Sequence, residues 1–203
     1  MSEPPAAPKL ALASANPGKL REYQVLASGH AANLEWLPGF AAVPEFPEDA
    51  PTFAENAAGK ALYYSKHCGE MVFADDSGLV VPALGGAPGV FSARYAGPGA
   101  SSAARNAKLL AELRGKNGAN RDAHFVCVIA LAVRGRCLAV VSGKVEGEIL
   151  EEPRGVGGFG YDPVFYFPPL HKAFAELTAE EKNQHSHRGK AFRRLMEILE
   201  QQS

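Results

Sequence analysis

The sequence predicts a mixed α/β fold, because segments typical of buried strands alternate with segments typical of helices. A short apolar run at residues 9–14 is followed by a turn and then by apolar residues at helical spacing. Further along, residues 124–133 and 136–145 are typical of two strands joined around Gly135, which predicts an antiparallel hairpin. A sheet that contains a hairpin is not purely parallel, so we expect an α/β fold with a mixed sheet.

The length and charge of the chain limit the classes of function. Its 203 residues allow one large domain or two small lobes, and its formal net charge of −1 argues against a broad nucleic-acid-binding surface. Cys68, Cys127 and Cys137 lack the spacing of a zinc site or a disulfide framework. Neither a membrane span nor a signal peptide is predicted, so we expect a cytoplasmic protein. Residues 1–8 predict a flexible leader, followed by a single domain at 9–203.

The remaining elements are predicted from local signals. Thr52 and Glu55 have the spacing of a capping box, and Thr178 and Glu181 repeat it before a shorter turn. In chain order, the predicted elements are a helix at 19–26, a strand at 34–37, a helix reaching residue 67, a strand at 71–74, a glycine- and proline-rich loop at 84–99, a helix at 101–114, the hairpin, an aromatic segment at 161–167 and a helix at 187–199.

Two adjacent carboxylates, Asp75 and Asp76, carry a strong chemical signal. They directly follow the predicted strand at 71–74, and Ser77 and Gly78 after them predict a turn. Neighbouring carboxylates repel each other unless a cation or a proton separates them, so the pair suits a metal site or a general base. An Asx-turn that merely closes a strand is the alternative, and the local sequence leaves both open.

The first strand–turn–helix junction predicts an anion site. Ser14, Asn16 and Lys19 lie at this junction, where a helix N-terminus presents backbone N–H groups and Lys19 adds a cation. The spacing differs from that of a Walker A loop. An ordinary turn with an exposed lysine is the alternative.

The glycine-rich segment at 155–160 matches the dinucleotide-binding spacing, but residues 161–163 follow it without a helix, so we exclude a dinucleotide fold. A loop that lets Phe159 stack on a base and Asp162 bond a base edge or a sugar fits better. A core aromatic residue beside a turn aspartate is the alternative.

A basic stretch at 182–188 precedes the last predicted helix. His185 and His187 lack an obvious third metal ligand, so we favour His187 and Arg188 as donors to an electron-rich ligand, with a solvated basic face as the alternative. Cations for phosphate, an aromatic residue for a ring and carboxylates for Mg²⁺ together predict a nucleotide phosphohydrolase.

Five motifs occur in order and cover nearly the whole chain after the leader. They are Ser14-x-Asn16-x-x-Lys19, Ala-Asp-Asp-Ser-Gly-Leu at 74–79, Gly-Gly-Ala-Pro-Gly at 85–89 with Ser-Ala-Arg-Tyr at 92–95, Gly-Gly-Phe-Gly-Tyr-Asp-Pro at 157–163 and Ser-His-Arg at 186–188. Together they resemble the inosine/xanthosine triphosphate pyrophosphatase family, which hydrolyses non-standard purine nucleoside triphosphates.

The resemblance implies an elongated mixed central sheet with flanking helices, two lobes around an active-site cleft, and a homodimer. Asp76 matches the family's proton acceptor and metal-site carboxylate, with Asp75 beside it. Glu48 best matches the second acidic metal residue, and Glu45 is a near competitor. The positions that match substrate contacts are Ser14, Asn16, Lys19, Lys60, Ser77, Phe159, Gly160, Tyr161, Asp162, Lys182, His187 and Arg188.

The reaction implied by the resemblance converts ITP, dITP or XTP to the monophosphate and pyrophosphate with Mg²⁺. We expect Asp76 to direct water at the α-phosphorus, and His187 and Arg188 to donate to the 6-keto oxygen of the purine. Two alternatives remain. A haloacid-dehalogenase-like phosphatase would require D-x-D spacing and would release orthophosphate, and a non-catalytic module would bind the nucleotide without turnover.

Overall fold

Seven strands form one mixed sheet in a computed structural model that describes residues 9–30 and 33–201. The predicted leader at residues 1–8 lies outside the described residues. The strands are β1 Lys9–Leu12, β2 Asn33–Trp36, β3 Met71–Val80, β4 Asp122–Val133, β5 Arg136–Ile149, β6 Phe165–Phe167 and β7 Lys172–Ala173. Their order in the sheet is β2-β1-β3-β4-β5-β6-β7. Because β1 pairs in parallel with β2 and β3, whereas β6 is antiparallel to β5 and β7, the predicted mixed sheet is confirmed.

Local capping explains where several of the helices begin. The Thr52 hydroxyl accepts a hydrogen bond from the Glu55 N–H at 3.2 Å, and Thr178 and Glu181 form a complete capping box. The described residues form five α-helices, none of them long and apolar enough to cross a bilayer. They are α1 Pro17–Ala27, α2 Phe53–Tyr64, α3 Ser102–Glu112, α4 Ala179–His185 and α5 His187–Glu200.

The connection between β4 and β5 consists of two residues. Arg134 and Gly135 both have positive φ, at 48° and 75°, as a tight hairpin turn of the primed type requires. A two-residue connection can join adjacent strands only in antiparallel orientation, so the predicted hairpin is confirmed.

Strand β3 is longer than predicted. It continues from Met71 to Val80, so the predicted turn at Ser77 and Gly78 is wrong. The turn preference of these two residues is local, whereas β3 continues beyond its pairing with β1, which ends at Phe73, and lies beside β4 in the sheet. The Leu79 N–H donates a hydrogen bond to the Ser92 hydroxyl at 2.9 Å. Tertiary pairing here overrides local propensity.

The chain divides into two compact units, each with its own apolar core. The first unit holds the described residues up to Asp76, together with Cys127–Gly143 and those from Arg188 onward. The second unit holds Ser77–Val126 and Lys144–His187. The largest fully buried side chains of the first core include Tyr23, Phe73 and Phe192, and those of the second include Phe165 and Phe174. The expected cleft remains a prediction.

Candidate active site

Asp75 and Asp76 occupy consecutive positions in the middle of β3. Successive side chains of a strand point to opposite faces of the sheet, so these two carboxylates do not face each other. The expected repulsion between adjacent carboxylates is therefore not what distinguishes this site. Each aspartate has partners of its own, and these partners assign the two residues different roles.

Asp75 is a buried counter-ion. Its side chain is 0% exposed, and its Oδ2 lies 3.0 Å from the Lys19 Nζ and 3.7 Å from an Arg188 guanidinium nitrogen. Burial alone raises the pKa of the Asp75 carboxyl, but the charges of three neighbouring cations outweigh burial and lower that pKa to about 2. Arg188 also forms an ion pair with Glu22 on α1. Asp75 thus belongs to an alternating cluster of charges, which we call the ion network: Lys19, Asp75, Arg188 and Glu22.

Asp76 has a different environment. It is 5% exposed, and its Oδ2 accepts a hydrogen bond from the Asn56 amide at 2.9 Å. Burial raises the pKa of the Asp76 carboxyl, the negative charge of Glu48 adds to this increase, and the opposing effects of Lys19 and other neighbours do not cancel it. A carboxylate whose pKa is raised binds a proton more readily, which suits a general base.

Lys60 links the loop before α2 to the acidic strand. Its Nζ donates to a Glu48 carboxylate oxygen at 2.7 Å and to the Asp75 backbone carbonyl at 2.8 Å. Burial lowers the pKa of Lys60, but the charges of Asp75 and Glu48 outweigh burial and raise it, so the ammonium stays charged. Glu48 keeps 39% of its side chain exposed, and the competing Glu45 is exposed on the same loop. The charge of Glu48 acts on Asp76 and helps to raise its pKa, which makes Glu48 the better candidate for a metal ligand shared with Asp76.

The junction before α1 is capped by a side chain of its own. The Asn16 Oδ1 accepts hydrogen bonds from the Gly18 N–H at 2.9 Å and the Lys19 N–H at 3.2 Å, and the Ser14 hydroxyl accepts one from the Asn16 N–H at 3.2 Å. Asn16 is therefore the N-cap of the helix. The backbone donors expected to hold phosphate are already bonded to Asn16, which leaves the Lys19 ammonium as the cationic group at this junction.

In the second unit, the segment Phe159–Asp162 is tied together by its own side chains. The Asp162 carboxylate accepts a hydrogen bond from the Phe159 N–H at 2.7 Å and forms an ion pair with Lys182. The Lys182 Nζ lies 4.8 Å from the centre of the Phe159 ring. Asp162 is only 2% exposed, and its contacts orient Phe159. The expected bond from Asp162 to a ligand stays a prediction.

Steric contact with Asp162 explains why position 158, directly before this segment, is a glycine. Gly158 has a φ of +66°, and a Cβ built on it would lie 2.1 Å from an Asp162 carboxylate oxygen. Only glycine allows the backbone this close to the buried carboxylate. Residues 162–164 then form a 3₁₀ turn that leads into β6, so no helix follows the glycines. This agrees with our exclusion of a dinucleotide fold.

His187 and Arg188 are neighbours in sequence but have separate environments. The His187 ring is buried in the second unit and stacks on Phe125, with ring centres 4.7 Å apart and planes 10° from parallel. Arg188 is buried in the first unit, where it pairs with Asp75 and Glu22. The contacts of Arg188 include two carboxylates of the protein and the ring of Tyr23. The expected bonds of His187 and Arg188 to the purine stay a prediction. Ser77 follows Asp76 on β3 and is the first residue of the second unit.

The sequence-based predictions named Lys60 but missed Asn56 and Glu22. Asn56 and Lys60 are four residues apart on α2 and therefore lie on one face of the helix. That spacing could have identified Asn56 as a partner of the same site. Glu22 lies three residues after Lys19 on α1, but its pairing with Arg188 joins positions 166 residues apart. Local sequence carries no signal for such a pair.

Comparison of the chain with known proteins identifies one family. The profile of the Ham1 family matches residues 10–198. The dITP/XTP pyrophosphatase of Desulfotalea psychrophila is 49% identical over 184 residues, which cover 91% of this chain and 82% of that protein. The dITP/XTP pyrophosphatase of Geobacillus kaustophilus is 49% identical over 193 residues, with 95% of each chain covered.

Solved structures agree with the sequence comparison. A Ham1 protein from Coxiella burnetii superposes with a TM-score of 0.85 at 44% identity, covering 96% of this chain and 99% of its own. The Ham1 protein of Staphylococcus aureus superposes with a TM-score of 0.84 at 39% identity, with 96% and 100% covered.

Proposed function

The chain belongs to the Ham1 family, and we propose that it hydrolyses ITP, dITP and XTP to the monophosphate and pyrophosphate. Relatives named dITP/XTP pyrophosphatase support this class of substrate. The observation that supports this reaction is the environment of Asp76, which is a buried carboxylate with a raised pKa close to the charged Lys60. Such a group can take a proton from water while nearby cations hold the phosphates.

Glu48 and Asp76 are the carboxylates that we assign to Mg²⁺. The charge of Glu48 helps to raise the pKa of Asp76, and a divalent cation relieves repulsion of this kind. No cluster of three or more His, Cys, Asp or Glu side chains that could hold a metal occurs at 9–30 or 33–201. Two carboxylates suit Mg²⁺, because this ion often takes one or two from the protein and fills its shell with water and substrate phosphates. Asp75 fits poorly, since Lys19 and Arg188 already balance its charge.

We assign the phosphate chemistry to side chains of the first unit. Lys19 and Lys60 would contact the phosphate oxygens, and Asp76 would accept the proton of the water that attacks the α-phosphorus in line, so that pyrophosphate leaves. Bound Mg²⁺ would neutralise charge on the phosphates. Ser14, Asn16 and Ser77 remain proposed contacts of the same kind, and Asn16 also supports Lys19 by capping α1.

We assign binding of the purine ring to the segment Phe159–Asp162. Phe159 would stack on the ring, and the buried pair of Asp162 and Lys182 would keep the segment in place. His187 would donate to the 6-keto oxygen, because an adenine amino group at that point leaves a buried donor unpaired. For Arg188 we propose an indirect role through Asp75.

A product assay tests the proposed function. Purified protein with Mg²⁺ and ITP should release one pyrophosphate for each IMP formed. Orthophosphate as the direct product would contradict the proposal and indicate a haloacid-dehalogenase-like phosphatase. Binding of ITP without turnover would indicate a nucleotide-binding module.

The choice between Glu48 and Glu45 predicts different magnesium requirements for two variants. Glu48→Gln should raise the Mg²⁺ concentration that gives half-maximal ITP hydrolysis by about tenfold or more, because a neutral amide is a weaker ligand than a carboxylate. Glu45→Gln is the matched control on the same loop and should leave this concentration unchanged. The opposite pattern in Mg²⁺ titrations would exchange the two assignments.

A homodimer, a cytoplasmic location and one functional domain at residues 9–203 belong to the same proposal. Light scattering on the purified protein, with a mass near twice the 21.5 kDa of one chain, would support the dimer.

A further inference from the structure

Asn106 is a buried amide on α3 that the proposed reaction does not use. Its residue is 5% exposed, and its Nδ2 donates a hydrogen bond to the Gly160 carbonyl at 3.2 Å. Gly160 has a φ of +65°, a left-handed conformation that glycine adopts without strain. The amide of Asn106 therefore fixes the direction of a peptide group that the backbone alone would leave free to rotate.

The orientation of this amide follows from its partner. A carbonyl oxygen only accepts hydrogen bonds, so the Nδ2 of Asn106 must face Gly160 and its Oδ1 must face away. That Oδ1 is buried and has no hydrogen bond. A buried acceptor without a donor lowers stability, whereas a leucine of similar size would remove that penalty together with the hydrogen bond to the part-buried Gly160 carbonyl, so the two effects on stability oppose each other. Stability alone therefore does not account for an asparagine at this position.

In addition to the ion pair between Asp162 and Lys182, side-chain hydrogen bonds hold the segment Phe159–Asp162 at three points. Asp162 holds the Phe159 N–H, and the Tyr161 hydroxyl donates to the Ser92 carbonyl at 2.9 Å. Asn106 provides the third attachment, at the carbonyl of the peptide group that joins Gly160 to Tyr161. Removing this attachment would leave both ends of the segment fixed while its middle could turn.

We propose that Asn106 is a positioning residue for purine selection, which acts by fixing the Gly160 peptide and, through it, the orientation of Phe159. This inference rests on the proposed function, because it takes the segment Phe159–Asp162 as the support of the purine ring. Asn106 acts through that segment, and the triphosphate contacts of Lys19 and Lys60 do not depend on it. A ring that Phe159 orients less firmly would present its 6-keto oxygen less well to His187, the donor that we assign to purine choice. Loss of Asn106 should therefore weaken the preference for ITP over ATP more than it weakens hydrolysis itself.

The test compares ITP with ATP in the full-length protein. Asn106→Leu should lower kcat/KM for ITP about tenfold, the size expected for one lost hydrogen bond, and change kcat/KM for ATP by less than about twofold. Asn106→Asp has nearly the same shape but lacks the donor, so its ratio of ITP to ATP activity should fall at least as far. The thermal midpoint of the leucine variant should stay close to that of the wild type, since an unpaired acceptor is removed along with the hydrogen bond.

The matched control is Leu109→Val, which removes one methylene from a buried position of the same helix. This variant should lower the thermal midpoint and keep the wild-type ratio of ITP to ATP activity. Equal losses for ITP and ATP, or an unchanged ratio, in either Asn106 variant would overturn the proposed role and leave the proposed function standing. Failure of the wild type to release pyrophosphate from ITP would overturn the proposed function, and this role with it.

Discussion

Asp76→Asn is expected to lower kcat for ITP by about 10² to 10⁴-fold, the range that general-base catalysis contributes. The amide cannot take a proton from water, and it binds Mg²⁺ more weakly than a carboxylate does. The fold should survive, because Asn56 can still donate its hydrogen bond to the oxygen of the new amide. Steady-state rates of pyrophosphate release at saturating ITP and Mg²⁺ measure the effect.

The stability of this variant provides a second readout. Burial raises the pKa of Asp76, which means that the folded protein favours the neutral form of this side chain. Neutralising it should therefore leave the free energy of unfolding unchanged or slightly higher. Asp49→Asn, at an exposed position of the loop that carries Glu48, is the control and should keep wild-type kcat. Near-wild-type turnover by Asp76→Asn would remove Asp76 from the mechanism.

Much of the fold could be predicted because its signals are local. Thr52, Ser101 and Thr178 each begin a helix as N-cap, and each lies at the position that the sequence pattern indicated. The hairpin was equally clear, since two segments typical of strands flank Gly135. The error at Ser77 and Gly78 has the opposite cause, because the neighbouring strands of β3 come from distant parts of the chain.

The residue types of the candidate site could be predicted, but the different roles of the individual residues could not. Asp75 and Asp76 look equivalent in the sequence, and only their partners distinguish them. Asp75 meets Lys19 and Arg188, whereas Asp76 meets Asn56. Arg188 shows the same limit, because its pairing with Asp75 and Glu22 could not be predicted from its position next to His187. These pairings depend on tertiary structure, which motif spacing does not encode.

Asp75→Asn should destabilise the protein by about 3 kcal/mol, because it leaves Lys19 and Arg188 without their shared buried counter-ion. For a chain of this length, that loss corresponds to a fall of about 6–12 °C in the thermal midpoint. Asp76→Asn, one residue away, should show the reverse pattern of lost turnover and retained stability. Urea unfolding of both variants and the wild type at pH 7 measures the contrast, and equal stability of the two variants would contradict the assignment of Asp75 as a counter-ion.

The pH dependence of unfolding separates this charge effect from a packing defect. The pKa of Asp75 falls from its usual 3.8 to about 2 on folding, so its ionised form stabilises the fold above pH 4, and this contribution disappears as the pH falls towards 2. The shift corresponds to about 2 kcal/mol. The difference in free energy of unfolding between the wild type and Asp75→Asn should therefore shrink by about that amount from pH 6 to pH 2. A difference that stays constant over this range would mean that the variant loses packing, and that the ion network does not stabilise the fold through the charge of Asp75.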